Sequence, residues 1–425
     1  MLQSDFQFRF HPILLLISVT FVLPMALNAT TFRTILLFNS QVNGAHPPEG
    51  VTLDAAGNLY GTTSSGGPSD LGSVFKLTKR PDGSWAESTL HFFKGGSDGG
   101  VPVSGVIFDK KGDLYGVTVG GGDKCPERRG CGTVYKLVPK PDGTWTHSVI
   151  YSFSDADGGN QQKAGLAFDA AGNLYGFTQV GDVTCCGVVY RLKPNNDGSW
   201  SEDIIYTFTG GSDGGYPIDY PVFDSAGNLY GETIHGGAHD CGAVFELTPN
   251  AGGDWSETIV HSFCESKSDG NFPRGGLTAD ASGNLYGVTV WGGGSTGITE
   301  KCSLSGCGTV FRLEPQLGGG WNYKKIHTFT GTPGHDPHGG VVINAAGTIY
   351  GTTSIGGPKS DGTIYQLKPN PDGSWTAKNL HVFQGYPGVY PISTMVLDKS
   401  GTLYGTTFFA NPSLEGAGTV FKLIP

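Results

Sequence analysis

The sequence predicts an all-β chain folded as a seven-bladed β-propeller, and three observations carry that prediction. A decapeptide, Asp54-Ala-Ala-Gly-Asn-Leu-Tyr-Gly-Thr-Thr63, returns in close copies beginning at Asp109, Asp169, Asp224, Asp280, Asn344 and Asp398. Successive Tyr-Gly pairs, from Tyr60 to Tyr404, lie 54 to 64 residues apart, enough chain for one small sheet per copy. Finally, the chain starts and stops on complementary fragments of the repeat.

Each copy resolves into four runs of strand length, rich in β-branched and aromatic residues. In the second copy these are strand A (Val103–Asp109), strand B (Asp113–Val119), strand C (Gly132–Val138) and strand D (Trp145–Phe153). Asp-x-x-Gly-Asn joins A to B, with an Asp that can accept backbone N–H bonds and residues that tolerate positive φ. Asp-Gly pairs such as Asp82-Gly83 and Asp142-Gly143 join C to D as a hairpin. The B–C and D–A connections are longer, and the latter end in Pro.

Four antiparallel strands repeated seven times, with no helical pattern, form a propeller. The repeats run near 47–93, 102–153, 162–208, 217–263, 273–329, 337–383 and 391–425. The last stops at strand C. Residues 30–38 read as an isolated strand D, so the N-terminal strand completes the last blade and leaves no open edge in the ring. Residues 30–425 are thus one propeller domain.

The 425 residues include 70 Gly, with 15% charged residues and a formal net charge of −10. That balance disfavours long helices and argues against nucleic acid, whose phosphates need clustered Lys and Arg. Residues 1–29 read as a signal peptide: Arg9 precedes an apolar run, Ile13–Leu27, too short to span a bilayer comfortably. The mature chain carries no membrane span and is expected to be a monomer, secreted to the periplasm or beyond. Eight Cys fit an oxidising compartment. Cys131, Cys186, Cys241 and Cys307 all precede strand C, which makes Cys125–Cys131, Cys241–Cys264 and Cys302–Cys307 plausible pairs. Cys185 and Cys186 form either a vicinal bridge or two free thiols.

The units Gly57-Asn-Leu-Tyr-Gly-Thr-Thr63, Gly66-Gly67 and Gly418-Thr-Val-Phe-Lys-Leu423 resemble the GloVer-type tandem repeat of exported, choice-of-anchor bacterial proteins. The resemblance covers Phe32 to Pro425 and implies export and a repeat architecture. It implies no reaction. Ending at Pro425 without a sorting segment, the chain departs from the anchored members. A looser likeness to kelch repeats fails at the Tyr before Gly and at the long Phe75-to-Trp85 gap.

Repetition is an internal control on function. Trp85, Trp145, Trp200, Trp255, Trp321 and Trp375 share one register and read as scaffold, as do His91, His261, His327 and His381. Trp291 lies off register and is a candidate for ligand stacking. The B–C and D–A loops emerge on one face, and variable loops on a rigid frame are where binding concentrates. Glycines at Gly50, Gly105, Gly165, Gly276 and Gly340 suit a crowded axis, and Tyr220 breaks their pattern. The expected ligand-binding residues are Lys163, Asp219, Tyr220, Arg274, Trp291 and His338, around a pocket at the channel mouth. Glu232 and His235 are the catalytic candidates. Asp98, Asp213 and Asp269, in loops that feed strand A, are metal candidates that could hold Ca²⁺ at the channel mouth, although an Asp-Gly turn also accounts for them.

Two functions remain open. One is a secreted binding or scaffold protein that recognises a glycan, peptide or extracellular protein on the loop-rich face. The alternative is an extracellular hydrolase or lyase acting on a polysaccharide or small ester at the channel mouth. No His-Glu-x-x-His motif supports the second, and the Gly-x-Ser-x-Gly matches at Gly95–Gly99, Gly210–Gly214 and Gly293–Gly297 lie in Gly-rich loops with no helical pattern after them, so the sequence favours binding.

Overall fold

The decapeptide recurs because it can make four separate contacts within a blade. In the first copy, Asp54 Oδ1 accepts the Ala56 and Asn58 amides at 2.9 and 2.8 Å and closes the A–B hairpin. Its Oδ2 accepts the Tyr60 hydroxyl at 3.2 Å, a bond repeated from Tyr115, Tyr175, Tyr230, Tyr286 and Tyr404. The Gly after each Tyr lies opposite an aromatic residue of strand C, as Gly61 opposite Phe75 and Gly231 opposite Phe245. A Cβ on Gly231 would come within 2.5 Å of the Phe245 ring, so the position must be bare. The final Thr then bonds across to strand C: Thr63 to Ser73, Thr118 to Thr133, Thr289 to Thr309, Thr353 to Thr363 and Thr407 to Thr419, at 2.8–2.9 Å.

The computed structural model describes residues 30–125, 130–154, 164–179, 186–294, 302, 306–411, 413 and 416–425. It contains seven antiparallel sheets, one per repeat, arranged as a ring of blades. Blade 4 is representative: strand A Gly215–Phe223, B Leu229–His235, C Ala243–Pro249 and D Trp255–Ser262. Among the described residues the one helical element is a 3₁₀ turn, Gly96–Asp98. Blade 7 takes its strand D from Thr31–Leu37, which pairs antiparallel with Thr419–Ile424 from Thr31↔Ile424 to Leu37↔Thr419. Phe32 of this strand stacks on His381 of blade 6 at 3.7 Å, the neighbour contact expected of a strand D.

Blades hold one another through the two repeated aromatics. Five of the six strand-D Trp meet edge-on the Tyr of the preceding blade: Trp85 on Tyr404, Trp145 on Tyr60, Trp200 on Tyr115, Trp255 on Tyr175 and Trp321 on Tyr230, and Trp375 packs against the cluster that holds Tyr286. The Trp row is scaffold, as its register predicts. The core is accordingly a ring of seven inter-blade clusters, each drawn from two blades, which removes the size limit on a single core.

Strand A departs from the expected single run. In blade 2 it is split into Gly100–Pro102 and Ile107–Phe108. In blades 4 and 5 it is continuous but bulged: Ile218↔Glu232 is followed by Val222↔Tyr230, and Arg274↔Val288 by Thr278↔Tyr286. Two extra residues are thereby extruded on the innermost strand, and the bulge tips are what crowd the axis. The three expected disulfides, Cys125–Cys131, Cys241–Cys264 and Cys302–Cys307, are present. Cys186 is also disulfide-bonded, which excludes a free thiol there, while Cys185 lies outside the described residues.

Candidate functional site

The bulges decide what occupies the axis. Tyr220, on the blade 4 bulge, lies against Gly165 of blade 3, and its hydroxyl accepts the Gly105 amide of blade 2 at 2.9 Å. Asp219, in the left-handed region at φ 63°, accepts the Gly275 amide of blade 5 at 2.8 Å. Glu49 of blade 1 accepts the Thr394 amide of blade 7 at 2.9 Å. Opposing backbones approach so closely at Gly50, Gly275 and Gly340, and the Tyr220 ring at Gly165, that none of the four could carry a side chain unchanged. The remaining axial pocket is about 220 Å³, running from Glu49 and Tyr220 to Thr52, Ile107, Thr278 and Val396, two residues short of the A–B hairpins. It is smaller than the 300–1,000 Å³ usual for ligand pockets.

Glu232 sits beside this plug and is 1% exposed. Neither carboxylate oxygen has a hydrogen-bond partner among the described residues. Burial pushes its carboxyl well above the usual range, and nearby Asp219 pushes it further; the Gly276 amide offsets this in part, without hydrogen-bonding geometry. The same strand position holds Thr62, Thr352 and Thr406 in other blades, whose hydroxyls bond carbonyls of the next blade's strand A at 2.7–3.3 Å. His235 is three residues on in the same regular strand, and an odd spacing sends the two side chains to opposite sheet faces. The structure therefore does not bring the two catalytic candidates together.

His235 belongs instead to a row of rings on the loop-rich face. Tyr216 meets His235 at 5.4 Å, His235 meets Phe272 at 5.7 Å, and Phe272 meets Trp291 at 4.8 Å. The Arg274 guanidinium lies 5.9 Å from the Phe272 ring centre. All five side chains are partly exposed. Arg274 forms no ion pair with a described residue, and its Nε is buried without a partner.

Tyr216 and Phe272 were not singled out by sequence, yet a signal for them exists. Each immediately precedes the Pro that opens strand A, and so do His46, Val101, Asp336 and Tyr390. All six adopt φ between 54 and 58° or, for Phe272, 63°. Each donates its amide to the residue two before strand C of the preceding blade, for example Tyr216 to Cys186 at 2.7 Å and Phe272 to Cys241 at 3.0 Å. The left-handed backbone costs on the order of 1 kcal/mol per residue and is offset by this inter-blade bond. Tyr390, Phe408, Phe409 and His46 form a second, smaller cluster at the blade 7–1 junction.

The other candidates lie apart. His338 Nδ1 is 3.1 Å from the Asp336 carbonyl and 3.2 Å from Ser354 Oγ, within its own blade. Lys163 lies outside the described residues. The loop aspartates form no ring at the channel mouth; each sits at the outer wall against a strand-D side chain. Asp213 accepts the Tyr206 hydroxyl at 3.2 Å, Asp269 contacts His261 Nε2 at 3.3 Å, and Asp98 contacts His91 Nε2 at 3.0 Å. Strand D runs up the outer edge of each blade, so the loop that leaves it begins there, far from the axis. A groove of about 590 Å³ at the blade 4–5 outer wall is lined by His261, Asp269, Tyr323 and Lys325. His261 and Asp269 already contact each other there, and Lys325 donates to the Ser268 and Gly293 carbonyls.

Comparison with known proteins places these features in a family. The Gloeobacter/Verrucomicrobia repeat matches residues 21–220, 126–297 and 292–425. A search of the curated proteins finds no match. Among solved structures, the extracellular domain of the two-component system BT4673 from B. thetaiotaomicron is 12% identical with a TM-score of 0.55, covering 93% of this chain and 42% of that one. A protein from Lactobacillus plantarum is 13% identical with a TM-score of 0.51, covering 87% and 99%. XC5397 of Xanthomonas campestris, a gluconolactonase, is 12% identical at a TM-score of 0.41, covering 91% and 97%. Likenesses at this level of identity are likenesses of fold.

Proposed function

The chain belongs to the Gloeobacter/Verrucomicrobia repeat family, and from that premise we propose that it is a secreted binding protein that recognises an acidic glycan across blades 4 and 5. One observation carries the reading: Tyr216, His235, Phe272 and Trp291 form a continuous, partly exposed row of rings with an ion-pair-free Arg274 among them. Flat apolar rings stack on sugar faces, and a guanidinium takes a carboxylate or sulfate through two parallel hydrogen bonds. The row stands on backbone stitched to the neighbouring blade, so little ordering is needed on binding. Disulfide-bonded cysteines support an oxidising compartment, in keeping with residues 1–29 as an export signal. Among the described residues no helix is long and apolar enough to cross a membrane.

The hydrolase or lyase alternative draws less support. Glu232 is sealed from solvent and faces away from His235, which leaves that reading without its acid–base pair.

A glycan array that includes uronate-containing and sulfated oligosaccharides tests the proposal. Wild-type protein should bind acidic members, and Trp291→Ala and Arg274→Ala should each weaken binding at least tenfold. Binding that survives both substitutions, or no binding to any acidic glycan, refutes it.

A further inference from the structure

We propose that the outer junction of blades 1 and 2 is a zinc site, with His91 Nε2 and His147 Nδ1 as nitrogen ligands and Asp98 as the carboxylate. The three side chains come from two blades and one loop. Their ligand atoms all lie within 4.8 Å of one another, the one such group of three among the described residues. Asp98 Oδ2 is 3.0 Å from His91 Nε2, and Asp98 Oδ1 is 3.2 Å from His147 Nδ1. Ligands bonded at about 2.0–2.1 Å in a tetrahedron stand about 3.3 Å apart, and each imidazole nitrogen is already near that distance from one oxygen of the Asp98 carboxylate, His91 from Oδ2 and His147 from Oδ1. The rings stack in parallel at 4.0 Å. Loading therefore requires one imidazole to turn about its Cβ–Cγ bond, bringing the ion into both ring planes, with each ring proton on the nitrogen remote from the ion. The Lys94 amide, 2.8 Å from Asp98 Oδ2, orients the carboxylate from behind.

The repeat supplies the comparison. The blade 4–5 junction has the same arrangement with a Tyr in place of the second imidazole: His261, Asp269 and Tyr323, with rings stacked at 4.0 Å. The blade 3–4 junction has Tyr206, Asp213 and Glu257. Among the described residues, only at the first junction do two imidazoles face one carboxylate. That choice is locally unfavourable, because His147 Nε2 is buried without a partner among the described residues. Local rules are broken where something else is gained. Two nitrogens and one carboxylate suit zinc, not the all-oxygen shell of Ca²⁺, and leave a fourth position for water. Bound there, the ion ties blade 1 to blade 2 at the wall.

The test uses the purified full chain, stripped with chelator and titrated with Zn²⁺ alone. Wild-type protein should bind one equivalent in the low micromolar range or tighter, with a zinc-dependent rise in melting temperature. His147→Tyr recreates the blade 4–5 junction and should lose both, with affinity at least tenfold weaker; His91→Tyr should do the same. Equal zinc uptake by wild type and either folded variant overturns the proposal, as does no uptake by wild type. If neither variant folds, anomalous scattering at the zinc edge from zinc-soaked wild-type crystals decides: an ion between the three side chains supports the site, and ions only elsewhere overturn it.

Discussion

Replacing Glu232 by Met isolates the energetic consequence of a sealed, unpartnered carboxyl. The other blades show what the position accepts: Val117, Phe177 and Val288 are all fully buried there. Met nearly conserves the volume of Glu, so little cavity opens. Relief of an unsatisfied buried polar group is worth about 1–3 kcal/mol. The pH dependence follows from linkage. Because the folded carboxyl titrates well above the unfolded one, folded Glu232 is neutral at pH values where unfolded Glu232 is ionised. Folding must then supply that proton, at about 1.4 kcal/mol per pH unit, from the ordinary Glu range up to the folded titration point. Below the ordinary range both states are protonated and this part of the penalty vanishes. Glu232→Met should therefore raise stability at pH 7.5 by more than at pH 4, measured by denaturant unfolding of both proteins at each pH. A difference that stays flat with pH would refute the unpaired carboxyl, and a destabilised variant at pH 7.5 would show that Glu232 has a stabilising partner.

Three further outcomes follow from the frame. Gly231→Ala places a Cβ within 2.5 Å of Phe245 at a position where φ is ordinary, so the cost is steric, about 1–3 kcal/mol by calorimetry. Cys264→Ser opens a bridge with a sequence separation of 23, and should lower stability by about 3 kcal/mol in non-reducing denaturant titrations. Glu257, raised to about 7 by burial and then by Asp213, is a liability that appears as pH rises from about 4.5 and is complete above 7. Glu257→Gln should gain on the order of 1 kcal/mol at pH 8, discounted for its half exposure, and nothing at pH 4; equal effects at both pH values would contradict this assignment.

The blades, the closure and the disulfides were legible because each rests on local chemistry that recurs from copy to copy. A Gly under a ring is present in all seven copies, the turn Asp in six and the Cys before strand C in four, and the closing strand D keeps the register of the other six. The site was less legible because its placement depends on register. Glu232 and His235 are neighbours in sequence, but one pleat separates their faces. Tyr220 was correctly singled out as an exception, yet only the two-residue bulge shows that it plugs the axis. The loop aspartates, read as channel-mouth groups, follow strand D and so start at the wall. The ring row was half visible: His235, Arg274 and Trp291 stood out, whereas Tyr216 and Phe272 precede the loop Pro by one residue. Blades 3 and 4 also lack the Thr pair, with Val188 and Ala243 opposite Thr178 and Thr233, hydroxyls that are buried and unpartnered.

The pairing of Thr31–Leu37 with Thr419–Ile424 sets a timetable for assembly. Blades 1 to 6 are each built from contiguous chain and can form in the order of synthesis. Blade 7 cannot, because its outer strand is the first of the described segments to be made and its partner is the last. Until Thr419–Ile424 arrives, the early strand keeps an unpaired edge beside the blades already formed. A chain truncated just before Thr419 should thus hold six formed blades and one waiting strand, a state exposed to strand exchange with a second copy.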